Sequence, residues 1–327
     1  GTEPLYNGNI SVSAGASLVT PNTSGTIYGY TYDAMNRLVG ALDGTNDSRY
    51  SVSGITYDKN GNIQTLKRDG NVVANHTYSN KAHYGVMYDL TYTYEGNQLI
   101  IVSDAASVDQ FGFKDDRVGS PVDNTIDYTY DDNGNMLTDT NKGITGITYN
   151  YLNLPTAINY GAEAISYTYD ALGTKLRKSV SNSPNATEYA GAFVYEGGDL
   201  QFFAHPEGYV SPDGSGSYDY IYQYKDHLGN VRLSFTEDPS NPGDPAVISE
   251  TGYYPFGLVQ KGYNATAGDA SLGNDIAQKW TFNNTELEDA LGLNLYEMPL
   301  RQFDAAIARW ISIDPVTHHS LSPYTGY

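Results

Sequence analysis

Two acidic loops have the spacing of a chemical site. Asp58-x-Asn60-x-Asn62 and Asp131-x-Asn133-x-Asn135 match the first three ligands of a calcium loop. Such a loop needs glycine at its sixth position for a sharp bend, and Ile63 and Met136 stand there. Both therefore read as turns in which a carboxylate accepts backbone N–H groups. The six histidines are His76, His83, His205, His227, His318 and His319; they form no His-Glu-x-x-His frame, and no serine sits in Gly-x-Ser-x-Gly. His227 follows Asp226, an arrangement open to two uses: a base oriented by a carboxylate, or hydrogen bonding beside a turn. His318-His319 could offer a metal two nitrogens from a proline-bounded tail. The chain has no cysteine, so disulfides, thiolate metal sites and a cysteine nucleophile are all excluded. No cofactor is implied.

A repeated hairpin must position these loops. Tyr-x-Tyr, usually followed by an acidic residue, occurs at Tyr30-Thr31-Tyr32-Asp33, Tyr92-Thr93-Tyr94-Glu95, Tyr128-Thr129-Tyr130-Asp131, Tyr167-Thr168-Tyr169-Asp170 and Tyr222-Gln223-Tyr224-Lys225. Weaker copies are Ile55-Thr56-Tyr57-Asp58 and Tyr149-Asn150-Tyr151-Leu152. Most copies lie one, two or three units of about 20 residues apart, the size of a single hairpin. Turn formers follow at a nearly fixed offset, as in Asn60-Gly61-Asn62 and Asn133-Gly134-Asn135. The unit is strand, turn, strand. A count of 31 Tyr against 9 Phe, with 34 Gly, suits half-buried pleated surfaces joined by tight turns. The chain is predicted to be all-β and antiparallel. It opens with a weak strand at Ile10 to Val12 and runs in unbroken repeats from Tyr28 to Ala204. Long hairpin loops are expected at Ala105 to Asn124 and Ser179 to Thr187, and a further loop at His205 to Ser217.

The most complete unit is Tyr222 to Phe235. Tyr222 and Tyr224 alternate with Gln223 and so leave one face of a strand; Gly229-Asn230 closes the turn, and Val231, Leu233 and Phe235 alternate on the return. The run Asp226-His227-Leu228-Gly229-Asn230-Val231-Arg232 resembles the opening of the core region of bacterial RHS, or YD-repeat, proteins. Tyr253-Tyr254-Pro255-Phe256-Gly257, Lys279 to Glu288 and Arg301 to Pro315 resemble later pieces of that core. The resemblance divides the chain into repeats over residues 1–220 and a core domain over residues 221–327. It implies a strip of hairpins coiling into part of a hollow β-shell, with the core plugging one end through short helical turns. Capping-box spacing of Thr285 and Glu288 predicts a short helix to Leu291, stopped by Gly292. Ala305 and Ala308 stand where the family has Pro and Gly, and permit a helical turn from Phe303 to Trp310.

In that family the segment after the core is released by self-cleavage, through aspartates of two successive Asp-Pro-x-Gly motifs near an arginine. Paired carboxylates with unlike pKa values can share acid and base roles on a peptide. By this resemblance the candidate catalytic residues are Asp304, Arg309 and Asp314. Asp314-Pro315-Val316-Thr317 has Thr in the Gly position, and no second motif follows before Tyr327. The chain as it stands is expected to catalyse nothing.

A formal charge of −20 argues against nucleic acid and anionic membranes as partners, and no run of 18 apolar residues predicts membrane insertion. An acidic surface also keeps strand edges from associating. The resemblance implies a secreted or cell-surface shell. Its partners would be a C-terminal cargo segment, often a toxin, or the remainder of the shell, together with secretion machinery. A different reading is a surface adhesin whose regularly spaced tyrosines stack on sugars or choline.

Overall fold

The computed structural model describes residues 5–15, 26–44, 48–74, 80–106, 112–116, 125–263, 268–316 and 322–325. Among these every regular element is a β-strand or a short 3-10 turn, and no helix is long and apolar enough to cross a membrane. The first sheet holds β1 (Val12–Gly15), β2 (Thr26–Tyr32), β3 (Leu38–Asp43), β4 (Val52–Tyr57), β5 (Ile63–Asn71), β6 (Tyr84–Glu95) and β7 (Gln98–Asp104). β8 (Tyr128–Tyr130) and β9 (Met136–Asp139) pair alone. The second sheet opens with β10 (Gly146–Tyr149), β11 (Pro155–Tyr160), β12 (Glu163–Tyr169), β13 (Lys175–Val180), β14 (Ala186–Ala190) and β15 (Phe193–Glu196). It continues through β16 (Asp199–His205), β17 (Gly208–Pro212), β18 (Tyr218–Lys225), β19 (Val231–Glu237) and β20 (Pro245–Glu250). A small last sheet holds β21 (Leu287–Glu288), β22 (Leu295–Glu297), β23 (Gln302–Asp304) and β24 (Arg309–Trp310). All neighbours are antiparallel and sequential, and no sheet closes into a barrel.

The repeat owes its form to its turn. In the turns after Asp33, Asp58, Asp131, Asn150, Asp170, Asp213 and Asp226, the side-chain Oδ1 accepts the backbone N–H groups two and four residues on, at 2.8–3.1 Å. The residue three on takes positive φ: Asn36, Gly61, Gly134, Asn153, Gly173, Gly216 and Gly229. That is why Asn or Gly recurs at this offset. The carboxylates of Asp58 and Asp131 are thus committed to turn donors, as the failed calcium spacing implied. A register shift just before the turn, as at Thr31/Tyr32, Thr129/Tyr130 and Thr168/Tyr169, adds twist to each hairpin.

Tyrosine couples one hairpin to the next. Tyr57 Oη donates to Leu38 O, Tyr94 Oη to Ile63 O and Tyr149 Oη to Met136 O, each at 2.6 Å. Each acceptor is the cross-strand partner of the preceding repeat's last tyrosine. Phenylalanine would fill the same space and leave that carbonyl unbonded, which accounts for the excess of Tyr. The intervening threonines meet on the other face, Thr56 against Thr65 and Thr129 against Thr138 at 2.7 Å. Tyr28, Tyr92, Tyr128 and Tyr167 join one core with Leu66, Leu90, Ile158 and the late residues Leu293, Leu295 and Ile307.

Several sequence expectations are corrected. β1 starts two residues later than Ile10. The ladder breaks after Asp104, where β8–β9 stands apart, and the expected loop at Ala105 to Asn124 lies partly outside the described residues. His205 to Ser217 is not one loop, because Gly208–Pro212 forms β17 between β16 and β18. The second sheet runs without interruption through residue 220, and β18 spans it. No helix follows Thr285: Leu287–Glu288 is a strand and Ala290–Gly292 a 3-10 turn, with the Glu288 carboxylate drawn to Lys178 rather than to a helix start. Phe303 to Trp310 is a hairpin, with Phe303 paired to Trp310 and Ala308 at φ 55°.

One unit reverses its faces. In the repeats a tyrosine immediately precedes the turn Asp and points inward; before Asp226 that place is taken by Lys225. Tyr222 and Tyr224 therefore stand one residue out of phase with Tyr30 and Tyr32, and a one-residue slip turns every side chain to the opposite face. Ile221 goes to the core and the tyrosines go outside.

Candidate functional site

The C-terminal segment lies against the inner faces of the sheets, and the candidate residues sit on it. Arg68 of β5 is wholly buried and donates to Ala306 O at 2.6 Å, to Pro255 O at 3.2 Å and to the Tyr88 hydroxyl. Burial pulls its pKa down to about 10 against the charges of Tyr92, Tyr254 and Asp304, so it stays cationic at neutral pH. Tyr88 and Tyr92 of β6 reach Ala306 O and Ile307 O, both at 3.1 Å. In return Tyr254 donates to Asp69 O and Tyr324 to Gly134 O, both at 2.7 Å, while Met136 N–H bonds Ile311 O at 2.9 Å. The Ala306 and Ile307 carbonyls thus have donors from the first sheet, and a helical turn is unnecessary to satisfy them.

The three predicted site residues share one neighbourhood but have different partners. Asp304 and Arg309 are cross-strand partners in the last hairpin. Asp304 Oδ2 pairs with Lys142 Nζ at 3.1 Å and Oδ1 accepts Ala306 N–H at 2.9 Å. Arg309 turns away to Asn62 and the Asn97 carbonyl, its guanidinium lying 5.1 Å from the Tyr94 ring and 4.7 Å from the Tyr324 ring. Asp314 pairs with Arg301 at 2.8 Å and caps a turn through Val316 N–H at 2.8 Å. Among the described residues no hydrogen bond or ion pair joins any two of the three side chains. His227 is exposed, and both Asp226 oxygens go to Leu228, Asn230 and the Asn230 amide. His318-His319 falls outside the described residues.

Two buried ionic clusters that the sequence did not reveal fasten the segment to the wall. In the first, Lys142, in the turn after β9, faces Asp139 and Asp304. Burial drives the Asp139 carboxyl up; Lys142 opposes this, Asp304 and Asp127 reinforce it, and the value reaches about 7. Burial lowers the Lys142 pKa, but the two aspartates overcome that and raise it. In the second, Lys175 and Lys178 of β13 meet Glu286, Glu288 and Glu297 of the C-terminal segment. Lys178 lies 2.9 Å from Glu286 and 2.5 Å from Glu288; Lys175 lies 2.5 Å from Glu286 and also bonds Glu297. Tyr189 Oη adds bonds to both Glu286 oxygens at 2.9 and 3.0 Å. Burial alone would raise the Glu286 pKa, yet the two lysines bring it well below the carboxylate range, while Glu288, also buried and beside Glu297, is raised. The three glutamates offer oxygens within 4.8 Å of one another, the set that could hold a metal, but the lysines already supply the countercharge. Sequence reasoning had one faint signal here: Lys175 and Lys178 are two of only 18 basic residues, but they share a face only through the register shift beside Lys175, which spacing does not reveal.

Beside this cluster a cleft of about 590 Å³ opens between the second sheet and the C-terminal segment, lined by Tyr169, Tyr189, Trp280, Glu297, Leu300 and Gln302 among others. Chemically the region is a clamp. It holds a chain segment by its carbonyls and its carboxylates.

Neither a protein-family model nor a curated protein matches the sequence. The fold is shared with solved structures, among them two of TcdB2-TccC3. The crystal structure of TcdB2-TccC3-Cdc42 matches 92% of the chain at 18% identity with a TM-score of 0.54. That of TcdB2-TccC3-TEV matches 94% at 16% identity with a TM-score of 0.55. This chain spans 16% of the matched chain in each case.

Proposed function

We propose that this chain is a structural carrier, the late part of the shell of a bacterial RHS or YD-repeat protein that encloses or displays a variable C-terminal segment. The observation that carries this reading is the fastening of the described C-terminal residues, 253–263, 268–316 and 322–325, to the inner faces by Arg68, the repeat tyrosines and the two ionic clusters. A wall built this way fixes the chain leading to its cargo and needs no affinity for the cargo's own sequence. The solved neighbours support it in fold, and their names join TcdB2-TccC3 to a further protein, Cdc42 or TEV. Secretion and display at a cell surface belong to the same proposal.

On this reading the chain itself is not an enzyme. Asp314 is a turn residue paired with Arg301, and it acts on a peptide bond only where a downstream motif supplies the complementary carboxylate. The test is limited proteolysis of the chain extended by whatever its gene encodes after Tyr327. Protection of that extension while it is attached supports the shell. Digestion of the extension as fast as when it is expressed alone refutes it.

A further inference from the structure

The outward face around β18 is a surface that folding does not require. Tyr218, Tyr220, Tyr222 and Tyr224 expose 50%, 58%, 41% and 64% of their area, although the same residue type serves the core elsewhere in the repeats. Their neighbours extend the face across the sheet. Phe193 packs on Phe203 at 5.3 Å, Phe203 on Tyr218 at 6.3 Å, and Phe235 stacks on both Tyr222 and Tyr224 at 5.7 Å. Val210, paired to Tyr220, is buried beneath them. The result is a flat aromatic platform over five strands, β15 to β19.

Its charge is one-sided. The two cations on these strands, Lys225 and Arg232, turn inward, Lys225 to the inner cleft and Arg232 over the buried Tyr253 ring. Carboxylates border the face: Glu207 and Asp213 in the flanking turns, and Glu237, level with Tyr220, at the end of β19. Aromatic faces attract cations, and arginine also stacks on them.

Size narrows the occupant. Seven residues of strand by five strands cover about 20 Å by about 20 Å, or ~400 Å². A stable pair of globular partners needs about 800 Å² on each side. A second copy would also bring like charge against like. A flat, open face of this area suits an extended segment better than a globule or a small molecule in a pocket. From charge and area together we infer that this outer face binds an extended, arginine-bearing segment of another polypeptide. The inference does not depend on the shell reading, since the platform lies on the opposite side of the sheet from the clamp.

The test uses the full chain with fluorescein-labelled nona-arginine and nona-lysine peptides, read by fluorescence anisotropy at about 0.15 M salt, where diffuse charge attraction is screened. Nona-arginine binds more tightly than nona-lysine. Tyr220→Ser with Tyr224→Ser, which leaves the net charge unchanged, weakens nona-arginine about tenfold and removes the preference. Tyr151→Ser, at an exposed tyrosine remote from the platform, changes neither. An unchanged melting temperature shows that the double variant is folded, as expected for exposed rings. Equal binding of the two peptides, or equal binding by wild type and double variant, assigns the attraction to overall charge and overturns the inference. So does sedimentation showing self-association that the double variant abolishes, or retardation by a neutral glucan such as laminarin with no effect of nona-arginine.

Discussion

Asp139 should make the chain lose stability as pH rises through the neutral range, and Asp139→Asn should remove that loss. The carboxyl is fully buried and faces Lys142, Asp304 and Asp127, so its pKa climbs from 3.8 to about 7. The native state therefore holds a proton that the unfolded chain releases near pH 4. Between these values the native state is the better proton binder, so stability falls as pH rises, levelling off above pH 7. The span is about three pKa units, and at 1.36 kcal/mol each the loss approaches ~4 kcal/mol. From pH 5 to pH 8 about two of those units are crossed, worth ~3 kcal/mol. Asparagine keeps the shape and still accepts the Lys142 N–H. Urea unfolding of wild type and Asp139→Asn at several pH values isolates the effect, because every other titration cancels in the difference. The variant should gain on the wild type steadily from pH 5 to pH 7 and then run parallel. A difference that is flat across that range, or that moves in favour of the wild type, refutes the assignment.

Other expectations follow from the same contacts. Glu286 behaves oppositely: its pKa lies below the ordinary range, so its contribution is present above that range and is lost as pH falls through the depressed value, and Glu286→Gln should blunt acid unfolding. Lys178→Met leaves Glu286 and Glu288 short of a buried countercharge and should cost about 3–5 kcal/mol in urea unfolding, part of it restored by adding Glu288→Gln. Tyr94→Phe deletes the bond to Ile63 O and should cost about 1–2 kcal/mol, whereas Tyr224→Phe, on the outer face, should change stability by less than about 0.5 kcal/mol. Ala308 holds a left-handed φ of 55°, so Ala308→Gly should raise stability by about 1 kcal/mol, read as a higher melting temperature. Gly208→Ala places a Cβ 2.0 Å from Ile221 O across the β17–β18 pair and should prevent recovery of folded protein.

The repeats were legible because local chemistry decides them. An Asp or Asn before the turn, and Gly or Asn three residues later, specify the hairpin whatever the rest of the chain does. The C-terminal region was not, because there tertiary contacts overrule local preference. Ala305 to Ala308 have helical propensity, yet Arg68, Tyr88 and Tyr92 hold that stretch by its carbonyls in a hairpin turn. Thr285 and Glu288 have capping-box spacing, but a lysine more than 100 residues earlier claims the carboxylate. The candidate trio came from the resemblance, and spacing alone could show neither the pairing of Asp304 with Arg309 across a hairpin nor Lys142 and Arg301 taking the two carboxylates. The outward tyrosines carried a usable signal. Phase should be counted from the turn aspartate, and by that count Tyr224 lies on the face opposite Tyr32.

The tyrosine link between hairpins also bears on how such a chain could change over generations. Each hydroxyl grips a carbonyl of the unit before it, and the acceptor is main chain, indifferent to that unit's side chains. A duplicated or deleted hairpin would therefore find its handhold already in place, and the strip could lengthen or shorten by whole units without compensating mutations. The clamp residues have no such freedom. Arg68, Lys142, Lys175 and Lys178 each answer to addresses far along the chain, so a change in unit number between Arg68 and the segment they hold would be costly.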